Sequence, residues 1–164
     1  MSNLKLKSII MQTDSSNSII QDSFNLNRFI IAQDAVYDTV VAELSDGCKR
    51  SHWMWYIFPQ LKHLGHSYNA KFYGISGWEE AKAYLANPIL DARLRKVSEI
   101  ILALPGDDAR EVFGGIDARK LRSSMTLFDL VAPNDIFSRV LEKYFNGKRD
   151  RRTIAIVNEG DNHP

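Results

Sequence analysis

The 164-residue chain carries 21 Lys and Arg against 20 Asp and Glu, a formal net charge of +1, so no global field draws it to nucleic acid or to an acidic membrane. Its 45% hydrophobic and 25% charged residues match an ordinary globular protein with enough chain for one real core. Cys48 is the only cysteine, which excludes an intrachain disulfide and, with no secretion signal in view, predicts the reducing cytoplasm.

No stretch approaches the ~18 apolar residues of a membrane span, so no membrane role is expected. Residues 1–23, with Thr13-Asp-Ser-Ser-Asn-Ser18, read as a polar, mobile leader. Residues 24–157 read as one domain, and 158–164 as a mobile polar tail.

Helical signals dominate the domain. Phe29, Ala32, Val36, Val40 and Leu44 recur at helical spacing, with Asn25 as a candidate N-cap and Gly47 as a stop. Ser76-Gly-Trp-Glu79 reads as a capping box opening a helix through Leu85. Asn87-Pro88 opens another, to about Leu104, with Leu90, Leu94, Val97 and Ile101 on its apolar face. Asp107 or Asp108 caps a short turn that Gly114-Gly115 ends. Asp117 is then expected to cap a helix to Val131, and Asn134 one that stops at Asn146-Gly147. Asp150 caps a last helix over Arg151–Val157. Seven or eight short helices joined by capped loops predict an all-α domain.

Ser51-His-Trp-Met-Trp-Tyr-Ile-Phe-Pro-Gln60 is the least ordinary segment. Its aromatic run suits a strand by propensity, yet no second strand is available as a partner. A helix capped by Ser51 and ended near Pro59 is the more consistent expectation. Such aromatic density belongs either to the centre of a core or to a pocket whose bulky walls surround a few polar groups.

Several constellations carry chemistry. Lys49 and Arg50 beside a Ser51-capped helix start would suit a phosphate or carboxylate, although capping alone is the more frequent use of such a serine. Ser51 and His52 are neighbours that point about 100° apart on a helix, and no nucleophile elbow is present, which argues against a serine hydrolase. Cys48, His52, His63 and His66 lack the spacing of a zinc site. Without a P-loop, dinucleotide fingerprint or EF-hand, no cofactor or metal is predicted.

Arg119-Lys-Leu-Arg-Ser-Ser-Met-Thr-Leu-Phe128 begins basic and turns apolar around its circumference, as a central helix does. Lys120 and Ser124 share a face at four residues' spacing, with Ser123 one position away. A lysine with two hydroxyls matches a phosphate or carboxylate; equally, both serines can bond back to carbonyls one turn earlier, and both readings stay open. Lys148-Arg-Asp-Arg-Arg152 reads as a solvated basic loop, which makes nucleic acid an unfavoured partner.

These two segments, together with Leu64-Gly65, Tyr84-Leu85-x-x-Pro88 and Tyr144-Phe-x-Gly147-x-x-Asp150-x-x-Thr153, resemble the uncharacterised bacterial family called domain of unknown function 1810. The resemblance covers about residues 24–157 and implies a mainly α-helical fold, which favours helix for the Ser51–Gln60 segment. It implies no established activity. The family pattern marks Ser51, His52, Trp53, Trp55, Phe58, Pro59, Lys120, Ser123, Ser124, Met125 and Thr126. Asn87 stands before Pro88 where the pattern leads one to expect His, and Cys48, His63 and His66 fall outside it.

The expectation is therefore a domain that binds a small anionic, phosphate- or nucleotide-like ligand. Trp53, Trp55 and Phe58 would form its walls, Lys49, Ser51, Lys120, Ser123 and Ser124 its polar contacts, and His52 any acid–base group. The competing expectation is a non-catalytic interaction module in which the same segments are only core.

Overall fold

In a computed structural model that describes residues 22–161, the helical patterns become eight α-helices. They are α1 (Asn27–Ser45), α2 (Met54–Ile57), α3 (Tyr68–Phe72), α4 (Trp78–Ala86), α5 (Pro88–Ala103), α6 (Ala109–Val131), α7 (Ile136–Phe145) and α8 (Arg151–Asp161). The described residues form no strand, only one parallel bridge between Leu61 and Ile75, so the fold is all-α. The leader reading for residues 1–21 and the tail reading for 162–164 lie outside the described residues.

The second half of α6 is the axis of the domain. Ser124 through Asp129 are six consecutive buried residues, which is possible only for a helix covered on all sides. Helices α4, α7 and α8 pack against it, and α5 joins α7 to α1. Phe128 is the central side chain, in contact with the rings of Tyr84 and Phe137, while Tyr84 meets Phe29 edge to face at 5.2 Å.

Helix ends were the part of the pattern most often displaced. Asn87 caps α5 as expected, its side chain accepting from the amides of Ile89 and Leu90, and Gly47 and Asn146-Gly147 stop α1 and α7 at positive φ. Asn25 does not cap α1. It sits at φ 55° in the preceding turn, and Asp22 instead accepts from the amide of Asn27. Asn134 is likewise left-handed, and Asp135 caps α7.

The expected box at Ser76 closes on Glu80 rather than Glu79, because the helix starts one residue later, after Gly77. Gly114-Gly115 does not separate two helices joined by a loop. Gly114 alone leaves helical geometry, at φ 78° and ψ 166°, a conformation open to glycine, and the chain re-enters the helix at once. Asp117 consequently lies inside α6 and caps nothing. Finally, α8 runs on to Asp161, past Val157.

Ser51 is also not a helix cap. Only Met54–Ile57 are helical, Trp53 occupies the cap position without a side-chain bond, and the Ser51 hydroxyl donates to Glu43. The hydroxyl donates to a carboxylate outside the helix instead of accepting from the amides of the helix start.

One buried guanidinium ties three elements together. Arg28 donates to the carbonyls of Phe24, Asn25, Phe72 and Gly74 and pairs with Glu80 at 2.7 Å, with both side chains under a tenth exposed. Glu80 in turn accepts from the amide and hydroxyl of Ser76. The start of α1, the end of α3 and the start of α4 thus share one charge pair with every oxygen used. Arg28→Ala would strand Glu80 and four carbonyls and is expected to cost about 3–5 kcal/mol in chemical denaturation. Arg28→Lys, keeping charge without the planar fork, should fall between that variant and wild type.

Candidate functional site

The Ser51–Gln60 segment is held by an acid that the linear pattern conceals. Glu43 follows Val40 at three residues' spacing on the inward stripe of α1 and is 6% exposed. Its carboxylate accepts from the amides of Arg50 (2.6 Å) and Ser51 (2.8 Å), from the Ser51 hydroxyl and from the indole of Trp53 (3.2 Å). Burial alone would push this carboxyl up. The bonds from Ser51, Arg50 and Trp53 outweigh it and hold the group at about 2, so Glu43 is charged and paired with donors.

That anchor decides where the aromatic side chains go. Trp53 and Phe58 are each 1% exposed and face one another in the core, with Phe58 edge to face against Phe113. Trp55 is half-buried and lies on the surface of the same segment. Lys49 runs over the Trp53 ring to pair with Asp117 at 2.8 Å and also donates to the carbonyl of Ser51. Lys49 and Ser51 therefore serve the loop itself.

Helix α6 brings Lys120 over the Trp55 ring, 4.7 Å from its centroid, while its ion pair with Asp117 is loose at 3.7 Å. Trp55 and Lys120 open onto a cleft of about 480 Å³ that Gln60, Gly65, His66, Arg119, Ser123, Asp150 and Arg152 also line. Gly65 is required in this wall: a Cβ there would stand 2.5 Å from the Cβ of Ala70. Ser123 donates to the Arg119 carbonyl and to Asp150, whose carboxylate also accepts from the amide and hydroxyl of Thr153. Asp150 thus caps α8 as expected and docks its start against α6.

The basic loop is less free than its composition suggests. Arg149 pairs with the buried Asp129, Arg122 donates to the carbonyls of Lys148 and Arg149, and Thr126 accepts from the amide of Asp150. Arg152, exposed in the first turn of α8 just beyond this loop, lines the cleft. By contrast, the buried Ser124 lies outside it, and its hydroxyl has no partner among the described residues.

His52 is exposed and lines an adjoining recess of about 380 Å³ with Lys49, Met54, Phe113, Gly114, Gly115 and Asp117. Trp55 and Ile116 line both hollows. The structure therefore gathers Trp55, Lys120 and Ser123 at one cleft, sets His52 and Lys49 at its neighbour, and places Trp53, Phe58 and Ser124 in the interior. Sequence reasoning gave Arg119, Gln60 and Glu43 no role, weighed His66 only as a zinc ligand, and read Arg152 only as part of a solvated loop. The usable signals were Arg119 one turn before Ser123 and an acid on an apolar helix stripe. Among the described residues, no group of three His, Cys, Asp or Glu side chains could hold a metal ion, and no helix is long and apolar enough to cross a membrane.

A single all-α domain carrying a cationic, aromatic-walled cleft is what the fold and geometry define. A family model described as a protein of unknown function (DUF1810) matches residues 23–157, and the chain belongs to that family. The crystal structure of the conserved hypothetical protein Rv1873 from Mycobacterium tuberculosis is similar, with 47% identity and a TM-score of 0.82 over 84% of this chain and 99% of that one. No curated protein matches the chain.

Glu43→Gln keeps the shape but puts an amide donor among donors, and is expected to lower stability by about 2 kcal/mol. The carboxyl's folded value lies below its ordinary 4.5, so its contribution is present above that pH and is lost as pH falls toward 2. Wild type should therefore lose stability over that acid window in pH-dependent denaturation, and Glu43→Gln should lose less.

Proposed function

We propose that this protein binds a small anionic ligand in the cleft between the Ser51–Gln60 segment and α6, and does so in the cytoplasm, the setting that a lone free thiol suits. One observation carries the reading. Arg119, Lys120 and Arg152 line one hollow, walled on one side by Trp55, whose one acid, Asp150, already accepts bonds from Ser123 and Thr153. Elsewhere Arg28, Lys49, Arg93, Arg95 and Arg149 are matched to carboxylates at 2.9 Å or less. Among the described residues neither Arg119 nor Arg152 is ion-paired, Lys120 meets Asp117 only at 3.7 Å, and Asp150 is engaged by Ser123 and Thr153. An anion entering here would meet positive charge not neutralised by neighbouring acids, with Trp55 excluding water on one side.

The contacts assigned to this ligand are Arg119, Lys120 and Arg152, with Trp55 as wall. Gln60 and His66 supply neutral hydrogen bonds, while the Ser123 hydroxyl, whose one proton is used within the protein, holds Asp150 in place. His52, in the adjoining recess, is the acid–base candidate if the bound molecule is transformed. The competing reading, an interaction module whose aromatics are only core, draws on Trp53 and Phe58, both fully buried. Half-exposed Trp55 under an ammonium group favours the ligand site.

A thermal-shift titration with inorganic phosphate, pyrophosphate and small carboxylates tests this. Binding to the folded state alone should raise the melting temperature, with about 2.7 kcal/mol of stabilisation at a hundredfold excess over Kd. Lys120→Ala and Arg119→Ala should abolish the rise without lowering the unliganded melting temperature, since both side chains are at least partly exposed. No shift with any anion in wild type would favour the interaction module instead.

A further inference from the structure

We propose that the ligand is a phosphate monoester bearing a flat, hydrogen-bonding ring, the chemistry of a nucleoside monophosphate. This rests on the anion-site reading above and specifies what enters it. The cleft and the His52 recess share Trp55 and Ile116, so one molecule can occupy both. Their chemistry is unequal. Of the two, the cleft alone is lined by Arg119, Lys120 and Arg152, and it takes the doubly charged end, although Arg119 also borders a third hollow beside Arg122 and Tyr144.

The recess is walled by Met54, Phe113 and the edge of the segment carrying Trp55, and its polar groups are His52 and the Lys49–Asp117 ion pair, whose charges offset one another at 2.8 Å. Apolar walls with a few polar groups suit a ring whose heteroatoms bond at the edge. Gly114 lines the recess. Its left-handed φ of 78° kinks α6, and a Cβ at that position would meet nothing within 4 Å, so the backbone is open there. Ile116, just beyond the kink, is 74% exposed although it is a large apolar residue lining both hollows. A ring seated beside Trp55 would cover it. An unsubstituted phosphate would leave the recess, the kink and Ile116 without a role.

Calorimetry on the full chain with AMP, UMP and inorganic phosphate tests the proposal. At least one nucleotide should bind about tenfold or more tighter than phosphate, the scale of one base–aromatic stacking contact. It should also quench tryptophan fluorescence, which phosphate should not. Trp55→Leu should remove the quench and weaken the nucleotides several-fold more than phosphate, so that the advantage is lost. His52→Ala, at an exposed position that folding does not depend on, should weaken the nucleotides by about threefold and leave phosphate unchanged. Equal affinity for nucleotides and phosphate, or equal losses in the variants, would overturn the ring-bearing ligand while the anion site stands. No binding of any of the three would overturn both.

Discussion

Glu43 is where the geometry of the candidate site begins. A carboxylate carried inward on α1 collects two backbone amides, one hydroxyl and one indole from the next loop, and so dictates the path of residues 50–53. With that path set, Trp53 enters the core, Lys49 reaches Asp117, and Trp55 is left at the surface within range of Lys120. Buried charges are tolerated only when their lone pairs are used, and here four donors use them. The acid–loop contact explains why a segment so rich in aromatics divides into interior and exposed members.

The opposite side of the loop region depends on a second buried charge. Arg28 and Glu80 join α1, α3 and α4, and the bridge between Leu61 and Ile75 joins the strand-like stretches that lead into and out of α3. Between the two anchors runs α6, whose central residues are buried on every side. Its N-terminal half can bend at Gly114 without disturbing that axis, because only glycine adopts the required backbone at little cost. Rigid support beneath an open, kinked surface is the arrangement expected where a ligand must meet preorganised groups.

Charge distribution separates scaffold from site. The described chain neutralises cations that build the fold: Arg28 on Glu80, Arg149 on Asp129, Arg95 on Asp91 and Asp135. Arg149 and Arg122 also hold the basic loop against α6, and its neighbour Arg152 lines the cleft with Arg119 and Lys120. A near-neutral protein can in this way carry a strongly local positive surface.

Periodicity and capping residues were enough to determine the helical class, because 3.6-residue spacing and caps such as Asn87 and Asp150 act within one turn of chain. The burial of Met125–Asp129 was legible for the same reason, since the run from Met125 to Val131 is nearly apolar all round the helix, although Leu130 and Val131 at its end stay partly exposed. Tertiary structure decided everything that depends on a partner far along the chain. Ser51 looked like a cap and became a ligand of Glu43, eight residues away; Glu80 replaced Glu79 because the helix starts one residue later, and Arg28 pairs with the same carboxylate. Lys120 and Ser123 met Trp55, whereas Ser124, on the same helix, turned into the core. Local sequence sets which hydrogen bonds are available, and long-range packing selects among them, because a buried charge left without donors costs more than any single local cap contributes.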